Sequence, residues 1–144
     1  SGNCLDTSWS ILMPSDLLEI VVVEDDPSMR RAIERMLRVG GFRPIMFGSA
    51  EASIEAGVLL TADCLILDIQ LPGMSGLDLF EYSLPDGDSP PTIFITSFDN
   101  SAFRDRAGRL GASSYHQKPF LGRVLLDAVK QALQAPGENC RLGE

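Results

Sequence analysis

Between residues 19 and 134, short apolar runs alternate with stretches whose apolar residues recur every three or four positions. "EIVVV" (19–23) is β-branched and apolar, the mark of a strand covered on both faces. Asp26 and Pro27 then open a helix, a capping carboxylate followed by proline at the first helical position. Met29, Ile33, Met36 and Leu37 give that helix its inner face, and Gly40-Gly41 ends it. "FRPIMF" (42–47) predicts a second strand, with Pro44 arguing for a sheet edge. Ser49 caps a second helix with Ala50, Ile54 and Val58 facing inward. "CLILD" (64–68) is a third strand, and a third helix starts near Ser75 and ends before Pro85.

The pattern then repeats. "TIFIT" (92–96) is a fourth strand after the turn-rich "PDGDSPP". Ala102, Phe103, Ala107 and Leu110 mark a fourth helix closed by Gly111. "SSYHQ" (113–117) is a weaker, more polar fifth strand. Leu121, Val124, Leu125, Ala128, Val129 and Leu133 make the clearest helical stripe. Five strand–helix alternations predict an α/β domain, doubly wound, with a parallel sheet covered on both faces. Alternation does not determine strand order, but an edge position for the second strand fits 2-1-3-4-5, the flavodoxin-like order. The domain is expected over 18–134, with 1–17 a leader or tag-containing tail and 135–144 a C-terminal tail.

Composition narrows the function. The 144 residues are 44% hydrophobic and 22% charged, a globular balance, with a net charge of −8. There is no basic run, so nucleic-acid binding by this chain is not expected. No apolar run approaches a membrane span and no signal-peptide pattern is visible. Cys4, Cys64 and Cys140 form neither a disulfide framework nor a zinc spacing, which fits a reducing cytoplasm; Cys64 reads as a core residue.

The polar residues fall at strand ends. Strand one ends in Glu24, Asp25 and Asp26, strand three in Asp68, strand four in Thr96 and Ser97, strand five in Lys118-Pro119. In an open parallel sheet the crevice outside the carboxyl ends, at the switch in strand order, is the binding place. Asp25, Asp26 and Asp68 should meet there, with Thr96 and Lys118 alongside. Clustered carboxylates repel unless a cation joins them, and Mg²⁺ suits one or two carboxylates plus phosphate oxygens. A carboxylate so placed is a nucleophile for phosphorus. The plainer readings are a helix cap for Asp25-Asp26, half-buried packing for Tyr115 and a surface or interface place for His116.

"VVVEDDP", "LILDIQLPGMSG", "IFITS" and "SSYHQKPF", in this order, resemble the receiver domain of bacterial two-component response regulators, and the wording is closest to the FixJ-like subgroup. The resemblance covers about residues 19–134. It implies Asp68 as phosphoacceptor, and Asp25, Asp26, Asp68 and the backbone carbonyl of Gln70 as Mg²⁺ ligands. It implies Thr96 as the switch hydroxyl, Lys118 as partner of the phosphoryl group, a cis Lys118-Pro119 bond and Tyr115 as the aromatic that swings on activation. Gln70, Ser97 and Phe98 should flank the mouth, where Phe98 is bulkier than usual and would slow the attacking water. A histidine kinase or phosphotransfer protein is the implied donor. The face of the fourth helix, fifth strand and fifth helix, near Phe103, Tyr115, His116 and Arg123, is the implied partner or homodimer surface.

Two other readings compete. A haloacid-dehalogenase-type phosphatase also uses a strand-end aspartate with Mg²⁺, but needs an acid two residues on, where Gln70 stands. A degenerate receiver would only bind partners, against the intact Asp68, Thr96 and Lys118. About ten residues follow the fifth helix, too few for a helix-turn-helix module, so a single-domain regulator and a fragment are both open.

Overall fold

The computed structural model describes residues 17–84 and 88–134; the expectations for the two tails and part of the "PDGDSPP" turn lie outside them. The elements are β1 (Glu19–Val23), α1 (Pro27–Val39), β2 (Arg43–Phe47), α2 (Ala50–Ala56), β3 (Cys64–Asp68), α3 (Gly76–Ser83), β4 (Thr92–Thr96), α4 (Ser101–Arg109), β5 (Ser114–Gln117) and α5 (Gly122–Gln134). All neighbouring strands are parallel, in the order β2-β1-β3-β4-β5. Pro44 lies on edge strand β2, where a missing N–H costs little.

β3 and β4 are buried along their whole length, so each carries two apolar faces rather than one. Leu65, Leu67 and Phe94 join residues of α2, α3 and α4 in one core. Cys64, Ile66, Ile93 and Ile95 join α1 and α5 in the other. Strand side chains alternate, so successive residues serve opposite layers. Phe80 meets Phe94 edge-on, with ring centroids 5.7 Å apart. Burial keeps the Cys64 thiol pushed up to about 12, a small core side chain with no reactive thiolate.

Helix starts follow local chemistry. Asp26, Ser49, Ser75 and Asn100 each accept a backbone N–H of the first turn, worth about 1 kcal/mol apiece. Four expected helix-face positions are corrected. Gly57 takes a left-handed φ of 69° and ends α2, so Val58 packs from the following loop. Ala102 is exposed on α4, whose buried residue is Ala107. On α5 the buried face is Leu125, Ala128, Val129 and Ala132. Leu121 precedes that helix and is 60% exposed, and Val124, one position off the buried face, is 38% exposed. Among the described residues no helix is long and apolar enough to cross a membrane.

Candidate phosphoryl-acceptor site

The parallel register carries β1, β3 and β4 to a common end. Val23 stands beside Leu67, and Asp68 beside Ile95. The chain beyond each strand end therefore enters one crevice, at the reversal of strand order between β1 and β3. Asp68, the last residue of β3, is 1% exposed. Its Oδ1 accepts the Gln70 N–H at 3.0 Å, and its Oδ2 accepts from Lys118 Nζ at 3.1 Å. The Lys118 N–H donates to the Thr96 carbonyl at 2.7 Å, which fixes that lysine against the end of β4. The Lys118-Pro119 peptide is cis, as expected.

The acidic pair beside Asp68 differs from expectation. Glu24, Asp25 and Asp68 bring one carboxylate oxygen each within 4.8 Å of one another, and Asp26 is not part of this group. Asp26 turns its carboxylate onto the N-terminus of α1, accepting the Ser28 N–H at 3.2 Å. A side chain folded back as a cap cannot also face the crevice. Glu24 takes the place instead: it is fully buried, accepts from Lys118 Nζ at 2.7 Å, and receives the Asp26 N–H at 3.0 Å. Arg30 braces the same turn, donating to the carbonyl of Glu24 at 2.8 Å and of Asp25 at 3.3 Å.

Burial, and then the neighbouring Glu24 charge, push the Asp68 carboxyl up to about 7, against the opposing pull of Lys118. Burial alone would lower the Lys118 ammonium, but bonds and charge from Glu24 and Asp68 outweigh it and hold it above its ordinary value. Three carboxylates thus face one ammonium. This all-oxygen donor set fits a hard divalent cation such as Mg²⁺.

Around this centre the remaining site residues form a second set of contacts. The Thr96 hydroxyl is fully buried and lies 2.6 Å from Gln70 Oε1 and 2.8 Å from the Phe98 carbonyl, while the Phe98 N–H donates to it at 3.1 Å. Gln70 Oε1 also accepts the Ser97 N–H at 2.8 Å and the Ser97 hydroxyl at 3.2 Å. The Phe98 ring is 62% exposed. Tyr115 is half-buried against the core; its hydroxyl donates to Asp99 Oδ1 at 2.9 Å, and the Arg104 guanidinium sits 4.6 Å over its ring. Burial, then Asp99, raise that phenol to about 12. His116 faces away from Tyr115 and packs edge-on against Phe120, outside this cluster. The Gln70 side-chain contacts and the Glu24 role went unforeseen. For Glu24 a signal existed, because the cap before Pro27 already occupies Asp26.

Comparison with known proteins gives the family and the fold. The family described as "Response regulator receiver domain" matches residues 20–130. Nodulation protein W of Bradyrhizobium diazoefficiens is 38% identical over 115 residues, covering 80% of this chain and 51% of that protein. The transcriptional regulatory protein FixJ of Azorhizobium caulinodans is 30% identical over 129 residues, covering 90% of this chain and 61% of that protein. The chain thus spans roughly half to three-fifths of the length of these relatives. The crystal structure of a response regulator receiver protein from Burkholderia phymatum superposes with a TM-score of 0.70 at 34% identity, covering 81% of this chain and 94% of that one.

Proposed function

The chain belongs to the response regulator receiver domain family, and from that membership we propose that it is a phosphorylation-operated switch whose acceptor is Asp68. The observation that carries the reading is the Asp68 carboxylate itself: buried at the end of β3, bonded by Lys118, and clustered with Glu24 and Asp25. A buried carboxylate with raised proton affinity is a costly residue to keep without a chemical use.

An Asp68 oxygen attacks the phosphorus of a phosphohistidine on a histidine kinase or phosphotransfer protein. The new O–P bond forms as the P–N bond breaks, and the leaving imidazole keeps the electron pair and takes a proton. Mg²⁺, held by Glu24, Asp25 and Asp68 and by the Gln70 carbonyl that the family resemblance adds, would neutralise charge on the phosphoryl oxygens. Lys118 stays beside Asp68 and pairs with the incoming charge. Thr96 supplies a hydroxyl, and Tyr115 follows it as the aromatic of the switch. This is a signalling acceptor that catalyses only its own phosphorylation and dephosphorylation.

Phosphate then shifts the population toward a second arrangement of the α4–β5–α5 face. Its elements carry half-buried Phe103 on α4 and Tyr115 on β5, with exposed Val124 on α5 and exposed Leu121 just before it, apolar groups suited to a partner or a second copy. The output is a bound partner, dimerisation or a DNA-binding domain elsewhere in the full protein, and the place of action is the cytoplasm. A net charge of −8 with no basic run argues against nucleic-acid contact by this chain itself.

The test is intact mass after incubation with acetyl phosphate and Mg²⁺, beside Asp68→Ala. One added phosphoryl group that needs Mg²⁺ and disappears in the variant is expected. A folded wild-type chain that gains no mass would overturn the reading.

A further inference from the structure

Gln70 lies two residues beyond Asp68, and its N–H is bonded to Asp68 Oδ1 at 3.0 Å. Its side chain then reaches across to the start of the β4–α4 loop. There one amide oxygen gathers three donors: the Thr96 hydroxyl at 2.6 Å, the Ser97 N–H at 2.8 Å and the Ser97 hydroxyl at 3.2 Å. An amide oxygen has two lone pairs, so this acceptor is saturated.

The Thr96 hydroxyl is equally committed. It has one proton, shared between Gln70 Oε1 and the Phe98 carbonyl at 2.8 Å, and its own lone pair receives the Phe98 N–H at 3.1 Å. Thr96 is fully buried, so water offers no substitute partner. A new anionic oxygen arriving on Asp68 can engage this hydroxyl only by taking its proton away from Gln70 or Phe98.

We propose that the Gln70 amide oxygen is an internal competitor for the phosphoryl group, occupying in the resting chain the Thr96 and Ser97 donors that a phosphoryl oxygen on Asp68 would use. The proposal rests on the reading of Asp68 as phosphoacceptor. A phosphoryl oxygen is charged and a stronger acceptor than a neutral amide, so the exchange favours the phosphorylated state. Gln70 subtracts from that preference, which sets a threshold for switching and restores the resting loop when phosphate leaves. The bonds lost in the exchange correspond to roughly a three- to tenfold weakening of phosphoryl-analogue binding.

Gln70→Met retains much of the side-chain length and removes the acceptor; Gln70→Ala removes it without adding bulk. Beryllofluoride binding is measured with Mg²⁺ by NMR titration, and amide hydrogen exchange at Ser97 is measured in the ligand-free, metal-free proteins. Both variants should bind beryllofluoride about three- to tenfold more tightly than wild type, by the same hydrogen-bond exchange. Ser97 should lose exchange protection in both. A merely structural role for Gln70 would weaken binding instead. Wild-type uptake with unchanged or weaker uptake in the variants overturns this proposal alone, as does unchanged Ser97 protection. A folded wild-type chain that takes up no beryllofluoride overturns the phosphoacceptor reading and the competitor with it.

Discussion

Lys118 Nζ lies 2.7 Å from Glu24 Oε1, a contact between residues 94 positions apart that ties the end of β5 to the end of β1. The same ammonium reaches Asp68, so one cation holds two buried carboxylates. Breaking a buried pair leaves uncompensated charge and costs about 3–5 kcal/mol. Lys118→Met should therefore lower the urea midpoint of the metal-free protein strongly. At alkaline pH, where Asp68 is ionised despite its raised proton affinity, adding Asp68→Asn to that variant removes one orphaned charge and should recover part of the loss. Additive losses in the double variant would mean that Lys118 stabilises the fold by packing alone.

Gly76 is required by closeness, not by backbone angle. A Cβ at this buried position would come within 2.2 Å of the Asp68 carbonyl oxygen and 2.9 Å of its carbon. Backbone cannot yield as a side-chain tip does. Gly76→Ala should cost about 2 kcal/mol or more, in the range of core overpacking. It should also slow acetyl-phosphate labelling of Asp68, because relief of the clash displaces that residue. Labelling at the wild-type rate would show that the α3 start moves instead.

His116 gives the fold a pH dependence of known sign. Burial beside the Phe120 ring lowers its imidazole below the ordinary 6.5. The unfolded chain therefore binds the proton more readily than the folded one. Stability contributed by this group is complete well above pH 6.5 and falls as pH drops through that value toward the lower folded pKa. Urea unfolding at two pH values should show a smaller loss on acidification in His116→Gln than in wild type. As the only histidine, its folded titration is directly readable by NMR.

Phe98 is tied to the site by its backbone, while its ring is 62% exposed. If that ring slows the attacking water, Phe98→Glu should shorten the lifetime of phosphorylated Asp68 about threefold, a barrier change of about 0.7 kcal/mol. Phosphate release followed after removal of the donor measures it. An unchanged lifetime would remove Phe98 from the control of hydrolysis.

The strands and helices, and most of the polar residues that meet in the crevice, were legible along the chain. Apolar runs bounded by glycine and proline can be buried in few ways, and a parallel sheet delivers its strand ends to one edge. Asp68, Thr96 and Lys118 were therefore readable as neighbours from their places at the carboxyl ends of β3, β4 and β5. What spacing could not say is where a loop side chain points. Glu24, Asp25 and Asp26 are consecutive acids, and the pair that meets Asp68 was settled by the helix start, where capping by Asp26 satisfies an α1 N–H and turns that carboxylate away. The exposure of Leu121 and Val124 depended on where α5 begins and how it rolls onto the sheet. The hold of Gln70 on Thr96 spans 26 residues and exists only because Asp68 is in register with Ile95. Local sequence determined the elements and the strand-end place of Asp68; only packing decided which neighbouring polar groups share its hydrogen bonds and charge.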